Sequence, residues 1–311
     1  MNNLNEIREN FENGRISREE YWEEMQACHN VFSQYQSLIA GTNVDSIQIY
    51  GDELRVVTSD KVSMLWNPTD LRSASNILVN YGIYEQEESP FLLAAGKDAE
   101  VIFDIGANAG YYALHWASRI ASNGCIHAFE PVPSTYARLQ RNVHLNGLER
   151  SVHTRNFGLG DEAKTVSIFL PEFSGSSAAS IKNLHPEEKS IEVAVRIETL
   201  DEYFTGAGLS RLDLIKIDVE GAELLVLKGG RKTLARQKPI LFMELLRKWS
   251  LPFGYHPNDV IALLGEIGYR GYAIDNNNLV PFYTMTDETR QTNFFFVDPD
   301  KHANWLAANR A

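Results

Sequence analysis

The sequence has little of what disulfide-stapled, zinc-binding or membrane-spanning chains need. Its 311 residues include only two cysteines, Cys28 and Cys125, which lie far apart and without the spacing of metal ligands. This scarcity predicts neither a disulfide framework nor a zinc site, and it suits a reducing cytosol. No stretch approaches the roughly 18 uninterrupted apolar residues of a membrane helix. We therefore expect a cytoplasmic protein with no membrane partner.

Positive charge is also scarce. Asp and Glu number 41 against 29 Lys and Arg, which gives a formal net charge of −12 at pH 7. Such a chain repels a polyanion on average, so we expect no nucleic-acid partner. Hydrophobic residues make up 44% of the chain and charged residues 23%. This is ordinary globular usage and excludes a disordered chain.

Residues 1–81 predict an N-terminal extension with helices and a small sheet. Ser17 followed by Glu20 has the pattern of a capping box within a helical stretch that reaches about residue 40. The alternating runs IQIY and LRVV flank Gly51 and Asp52, which predicts a hairpin. We expect this extension either to cover an acceptor site or to form a contact in a homo-oligomer.

Strands and helices alternate from residue 101 onward. The runs VIFDI, CIHAFE, VHTRN, LDLIKID and PILFMEL are separated by stretches with helical character. This alternation predicts βαβ units around a parallel sheet. It is interrupted at 163–200 by two β-rich runs joined through the Ser-rich stretch FSGSSAAS at 173–180. We interpret the interruption as a hairpin that carries a mobile loop.

A turn containing two glycines follows the first of these strands. In VIFDIGANAGYY, Asp104 ends the strand, while Gly106 and Gly110 permit the backbone to approach a ligand closely. Asn108 stands where a third glycine often lies and tolerates a left-handed conformation. Glu130 ends the next strand, where a carboxylate accepts hydrogen bonds from both hydroxyls of a ribose. These residues predict an adenosyl site; the alternatives are a structural tight turn and a solvated strand-end charge.

The turn NFGLGD at 156–161 is a third element of the predicted site. Backbone groups around Phe157, together with the carboxylate of Asp161, are placed to frame an adenine. The alternative is a turn that the glycines make for structural reasons alone.

The glycine spacing separates two classes of cofactor. A dinucleotide fingerprint has glycines at its first, third and sixth positions, which are occupied here by Gly106, Asn108 and Tyr111. A pyrophosphate needs that cradle at a helix N-terminus. S-adenosylmethionine (SAM) has no phosphate, and its ammonium suits a nearby Asp104. We therefore favour SAM over NAD, and an NAD-dependent dehydrogenase is the weaker alternative.

The segment KIDVEGAE at 216–223 resembles the FkbM-type methyltransferase family. That family pairs a DxGANxG turn with a later KxDxEGxE segment, and both are present here, as DIGANAG and KIDVEGAE. The resemblance covers roughly residues 82–275. It implies a Rossmann-like class I α/β fold over 82–311, with a seven-stranded, mostly parallel sheet and SAM as methyl donor. It also places GIYEQEE in the shared domain, and we count its Glu85 among the cofactor-binding candidates.

The family resemblance further implies O-methylation of a sugar, a polyketide or a similar small molecule, so a small-molecule or glycan acceptor is the expected partner. The residues themselves do not separate oxygen from nitrogen as the methylated atom. An N-methyltransferase is therefore one alternative. A protein that binds SAM without catalysis, or that serves as an interaction module, is another.

Four side chains are candidates for the chemistry of methyl transfer. Asp218 and Glu244 each end a strand, His256 follows in a loop, and each is a candidate general base. Lys216 is placed to lower the pKa of an acceptor or to pair with Asp218. Alternatively, Asp218 and Glu244 ligate a Mg²⁺ ion that binds the hydroxyls of a substrate.

The acids of KIDVEGAE also have purely structural interpretations. Glu220 and Glu223 are predicted in the first turn of the helix that follows, where the helix dipole favours negative charge. Asp is a residue type that is common at the N-cap of a helix, so Asp218 can also be interpreted as the N-cap of the same helix.

Overall fold

The computed structural model describes residues 3–120, 124–172 and 178–310. Two helices and a three-stranded antiparallel sheet, ordered β1-β2-β3, open the chain. Their bounds are α1 (Leu4–Glu12), α2 (Arg18–Ile39), β1 (Val44–Tyr50), β2 (Glu53–Thr58) and β3 (Ser63–Leu65). The capping box of Ser17 and Glu20 is present, and Gly51 adopts a φ of 62° in the turn between β1 and β2. Both local predictions for this segment are confirmed.

The rest of the described chain alternates strands and helices. Its strands are β4 (Val101–Ile105), β5 (Cys125–Phe129), β6 (Val152–Arg155), β7 (Gly158–Gly160), β8 (Lys164–Pro171), β9 (Ser190–Thr199), β10 (Leu214–Ile217), β11 (Ile240–Glu244), β12 (Arg270–Asp275), β13 (Asn278–Phe282) and β14 (Asn293–Val297). Its helices are α3 (Ala74–Tyr81), α4 (Ser89–Ala95), α5 (Tyr111–Ala117), α6 (Pro133–Leu145), α7 (Leu200–Gly206), α8 (Glu223–Gly229), α9 (Arg231–Gln237), α10 (Arg247–Ser250), α11 (Pro257–Glu266) and α12 (Ala303–Asn309).

The large sheet has the order β13-β12-β14-β11-β10-β4-β5-β6 within the described residues. The strands from β11 to β6 are parallel to one another, whereas β14 is antiparallel to both β11 and β12. The carboxyl ends of the parallel strands therefore meet at one edge of the sheet, as the alternation predicts. Ligands of open α/β sheets bind at this edge.

The sheet has eight strands where the family resemblance implies seven. The additional strand, β13, pairs with β12 through a two-residue turn made by Asn276 and Asn277. Both residues have positive φ, 46° and 60°, which is the conformation of a tight hairpin turn. Asparagine tolerates this conformation, so the hairpin forms without the glycine that usually marks it in a sequence.

The predicted excursion at 163–200 is a hairpin of β8 and β9. These strands pair antiparallel, and β7 adds a short parallel edge to make a second three-stranded sheet. Residues 173–177, which form most of FSGSSAAS, lie outside the described residues. The mobility expected of that loop stays a prediction.

Residues 1–81 and the large sheet share one hydrophobic core. Val56 and Met64 of the small sheet are at most 1% exposed and belong to the same buried cluster as Trp116. The side-chain carbonyl of Asn142 accepts a hydrogen bond from the backbone N–H of Leu65 at 2.8 Å. Among the described residues, no helix is long and apolar enough to cross a membrane. Covering an acceptor and forming an oligomer contact remain predictions for the extension.

Gly106 is required by packing between two strand ends. Its φ is 78°, and a Cβ at this position would lie 1.8 Å from the backbone carbonyl oxygen of Asp218. At Gly110 a Cβ would lie 2.5 Å from the Leu139 side chain on α6. Both glycines therefore serve the close approach of protein segments, beyond the ligand approach that the sequence predicts. Asn108 has the expected left-handed conformation, with a φ of 49°.

Substituting Gly106 by Ala should be far more destabilising than the same change at Gly208. Gly208 also has a positive φ, 66°, but a Cβ there meets nothing within 4 Å. Gly208→Ala should therefore show only the backbone strain, about 1 kcal/mol. Gly106→Ala should cost at least about 4 kcal/mol, because rotating a side chain cannot relieve overlap with a backbone oxygen. Thermal and denaturant unfolding of both variants measures the difference, and equal losses would contradict it.

Candidate active site

A cavity lies at the carboxyl ends of β4, β5 and β10. The residues that line it include Asp104, Asn108, Glu130, Lys216 and Asp218. The fold thus brings the glycine turn, the acid after β5 and the KIDVEGAE segment into one site. The sequence predicts this convergence because parallel strands end at the same edge.

Asp104 is the most deeply buried acid of the cavity, with 1% of its surface exposed. Neither carboxylate oxygen accepts a hydrogen bond of normal geometry from the described residues. Burial raises the pKa of this carboxyl to about 6, although the charge of Lys216 opposes the shift. A buried carboxylate without donors is costly, so this position suits a ligand that brings a cation or N–H donors.

Glu130 joins the glycine turn to the start of α6. Its Oε2 accepts a hydrogen bond from the backbone N–H of Asn108 at 3.0 Å, and its Oε1 accepts one from that of Val132 at 2.9 Å. Only 6% of the residue is exposed, which excludes the solvated strand-end charge. Burial raises the pKa of Glu130 to about 7. Each oxygen keeps a lone pair for a ribose hydroxyl.

Lys216 supplies a buried positive charge between two acids. Its Nζ lies 3.1 Å from Asp218 Oδ2 and 3.8 Å from Asp104 Oδ1. Burial alone would favour the neutral amine, but the two carboxylates raise the pKa of Lys216 above its ordinary value. The pairing of Lys216 with Asp218 is one of the two roles predicted for it.

Asp218 belongs to a cluster of three carboxylates. One oxygen each of Asp218, Glu220 and Glu244 lies within 4.8 Å of the others. Burial, followed by repulsion from Asp218, raises the pKa of both Glu220 and Glu244. Asp218 is not the N-cap of α8, because that position belongs to Ala222. The structural interpretation of Asp218 as a helix cap is therefore wrong.

The placement of Glu220 also differs from the prediction. α8 begins at Glu223, so Glu220 lies in the turn before the helix, with a positive φ of 51°. Glu223 is in the first turn of α8, as predicted. Its Oε1 accepts a hydrogen bond from the backbone N–H of Gly221 at 3.1 Å. Burial raises the pKa of Glu223 to about 7.

Glu85 lies behind the cavity wall. Its carboxylate accepts a hydrogen bond from the hydroxyl of Tyr112, whose side chain lines the cavity. Burial raises the pKa of Glu85, although the bond from Tyr112 opposes the shift. Glu85 therefore contacts a residue of the cavity wall, Tyr112, and does not itself line the cavity.

The turn at 156–161 contributes other residues than the two predicted. Phe157 packs in the core, with its ring centroid 5.7 Å from that of Phe129, and it does not line the cavity. Asp161 does not line the cavity either, and its Oδ1 forms an ion pair with Lys164 Nζ at 3.2 Å. Gly158 and Leu159 line the cavity instead. Framing of an adenine by backbone groups around Phe157 stays a prediction, and Gly158 and Leu159 are the residues placed for it.

His256 does not reach the cavity. It is exposed at the N-cap of α11, where its side chain accepts a hydrogen bond from the backbone N–H of Asn258. The sequence predicts His256 as a general base because it follows β11 in a loop. In the structure it forms a capping box with Asp259 instead. His256 is therefore corrected to a structural residue.

Arg72 is a cavity residue that sequence reasoning missed. It lines the cavity, and its charge lowers the pKa of Glu220 against the larger effect of burial. It comes from the N-terminal extension, so no motif in the chain marks it. Only the packing of that extension onto α6 brings it here.

Comparison with known proteins agrees with this geometry. Residues 104–271 match the methyltransferase FkbM domain. The chain belongs to the FkbM methyltransferase family. Its fold is the Rossmann-like α/β architecture with a mostly parallel sheet that the sequence predicts, and its family is one of methyltransferases.

Three relatives illustrate the range of this FkbM family. Methyltransferase sdnD of Sordaria araneosa is 38% identical over 199 residues, which span 54% of this chain and 73% of that protein. Hexuronic acid methyltransferase AglP of Haloferax volcanii is 28% identical, over 67% of this chain and 75% of that protein. 2-O-methyltransferase NoeI of Sinorhizobium fredii is 28% identical, over 46% of this chain and 62% of that protein.

The ligand-free enzyme should lose stability as the pH rises from about 7 to about 9. The folded-state pKa values of Glu244 and Glu220, about 8 and about 9, lie above those of the unfolded chain. Their stabilising contribution is therefore complete in acid and is lost as the pH rises through the folded value. Buried histidines with lowered pKa, such as His127, act in the opposite sense but only below the unfolded value near 6.5.

Thermal unfolding at constant ionic strength measures this dependence. We expect a Tm lower by at least about 2 °C at the higher pH. Glu244→Gln removes one acid with a raised pKa and should flatten the dependence. A Tm that is constant or rises over this range would contradict the assignment.

Proposed function

We propose that the cavity binds SAM, with Glu130 at the ribose and Asp104 near the cationic amino-acid tail. The observation that carries this proposal is the buried carboxylate of Asp104, which lacks hydrogen-bond donors among the described residues. SAM brings a sulfonium and an ammonium, and Lys216 and Arg72 are the cations at the cavity that suit its carboxylate. A cavity rich in acids favours such a ligand over the diphosphate of NAD.

We further propose that the methyl group goes to a hydroxyl oxygen of a small molecule. The acceptor oxygen forms a bond to the methyl carbon while the carbon–sulfur bond breaks. The electron pair of the broken bond stays on sulfur. The proton of the hydroxyl passes to a base. The name of the relative 2-O-methyltransferase NoeI supports oxygen. Alignment of donor and acceptor supplies much of the rate, and a positioned base adds roughly 10²–10⁴-fold.

Asp218 is the base that the geometry favours. It lines the cavity at the end of β10, and 34% of its side chain is exposed there. The ammonium of Lys216, 3.1 Å away, orients its carboxylate. Glu244 does not line the cavity. Burial raises its pKa, so a larger fraction of this carboxyl is protonated near neutral pH than in an exposed glutamate.

A magnesium site is the second role open to these acids. The cluster of Asp218, Glu220 and Glu244 offers the oxygen ligands that Mg²⁺ prefers. A metal ion held there would bind the acceptor hydroxyl and lower its pKa. The ammonium of Lys216 already neutralises Asp218, which weakens the case for a metal.

SAM binding should release protons near neutral pH. Asp104 and Glu130, with pKa values of about 6 and about 7, are partly protonated there, and a bound cation lowers both values. Calorimetry in buffers of different ionisation enthalpy should show release on the order of one proton, and affinity that rises with pH. S-adenosylhomocysteine, which lacks the sulfonium charge, should release fewer protons. Proton uptake, or NAD binding as tight as SAM, would contradict the proposal.

Asp218→Asn should slow methyl transfer at least ~10²-fold while SAM affinity and the fold survive. The amide keeps the shape and can still accept the hydrogen bond from Lys216, but it cannot take the proton. Asp161→Asn, which changes an acid outside the cavity, is the matched control. Near-normal turnover of Asp218→Asn would move the base to Glu244.

The same assay distinguishes the two roles of the acid cluster. EDTA should leave the activity of the unmodified enzyme unchanged if Asp218 acts as a base. Activity lost to EDTA and restored by Mg²⁺ would instead establish the metal site.

A further inference from the structure

A second cleft opens at the same edge of the sheet, with a cavity volume of about 660 Å³. Its walls are the segments 86–88, 274–277 and 290–293. The volume is within the roughly 300–1,000 Å³ of small-molecule sites. We propose that this cleft is the acceptor subsite and that it takes a neutral, polyhydroxylated molecule such as a glycosyl unit. The acceptor role rests on the proposed methyl transfer to a hydroxyl.

The strand order places this cleft beside the acid cluster. Asn293, at the start of β14, pairs directly with Glu244, at the end of β11. Asp275, at the end of β12, lies on the far side of β14. Neighbouring strands are about 4.8 Å apart. The cleft therefore begins at β14, one strand away from Glu244, and reaches β12, about 10 Å from the strand of Glu244. A ligand that fills it has one end within reach of the cluster.

The other wall connects the cleft to the cofactor cavity. The side-chain amide of Asn293 donates a hydrogen bond to Glu88 Oε1 at 3.0 Å, which holds segment 86–88 against β14. Three residues before Glu88, Glu85 accepts a hydrogen bond from the Tyr112 hydroxyl, and Tyr112 lines the cofactor cavity. Tyr84 lines the cofactor cavity and residues 86–88 line the cleft, so neighbouring residues of one segment border the two cavities.

The side chains of the cleft suit hydroxyl groups. Ile274 is the one apolar side chain among its lining residues, and amides, carboxylates, a hydroxyl and a guanidinium make up the others. Each sugar hydroxyl both donates and accepts, so such a wall can satisfy several of them. An apolar acceptor would instead bury these polar groups without partners.

The charge of the cleft disfavours an anion. Glu87, Glu88 and Asp275 face a single cation, Arg290. A carboxylate on the acceptor would meet more repulsion than attraction, whereas neutral hydroxyls can donate to all three acids. This balance selects a neutral glycosyl unit over a uronic acid.

Two side chains of the cleft are suited to a test. No described residue makes a hydrogen bond or ion pair with the side chain of Asn277 or Gln291. Asn277 has a φ of 60°, so Asn277→Gly removes the amide and keeps the turn. Gln291→Ala removes a second amide from an exposed loop position. Neither residue belongs to the cofactor cavity, so SAM affinity should be unchanged in the double variant.

The experiment measures glycoside binding by saturation-transfer NMR, with and without S-adenosylhomocysteine. The probes are neutral methyl glycosides of gluco, galacto, manno and rhamno configuration, with glucuronate and cyclohexanol for comparison. We expect at least one neutral glycoside to bind more tightly than both comparison compounds. The double variant should weaken that binding at least about tenfold, since each lost hydrogen bond contributes measurably. Gln140→Ala, on the exposed face of α6, is the matched control and should bind normally.

Three outcomes would overturn the inference: no neutral glycoside binds, glucuronate or cyclohexanol binds more tightly, or the double variant binds as well as the unmodified protein. Failure of the proposed function has a different signature. In that case calorimetry shows no SAM binding, while a neutral glycoside still binds in a manner that depends on Asn277 and Gln291. That result would remove the acceptor role and leave a saccharide site.

Discussion

The buried ammonium of Lys216 is the interaction on which the rest of the site depends. It lies at the end of a central strand, between Asp104 and Asp218, and it is 5% exposed. A buried ion pair contributes little net stability, because desolvation offsets most of the attraction. Removing one partner is nevertheless costly, since it leaves an uncompensated charge. Lys216 thus fixes where Asp218 points and permits Asp104 to remain buried beside it.

One ammonium does not neutralise all the acids that the fold collects around it. Burial raises the pKa of Asp104, Glu130 and Glu223, so these carboxyls are partly protonated, and partly neutral, near neutral pH. A cationic ligand replaces those protons and relieves the repulsion. Methyl transfer then removes the sulfonium charge, so the attraction weakens once the product has formed. The same electrostatics therefore favours both binding of the methyl donor and release of the demethylated product.

Features that depend on a few neighbouring residues were predictable from the sequence. The capping box of Ser17 and Glu20 and the left-handed Asn108 are local in this sense. Features that depend on distant contacts were not. Arg72 reaches the cavity because the extension packs on α6, and Phe157 turns into the core because β5 and α7 supply its aromatic partners. For His256, the local cap prevailed over the expected catalytic position.

The two cavities divide along the chain as well as in space. The acids proposed for cofactor binding and catalysis, Asp104, Glu130 and Asp218, lie within residues 104–271, the segment that matches the family. The cleft lining, at 86–88, 274–277 and 290–293, lies wholly outside that segment. Methyl donation makes the same demands in every member, whereas each acceptor needs its own contacts. The proposed cleft therefore places acceptor choice on the hairpin of β12 and β13 and on the loop before β14, outside the segment that matches the family.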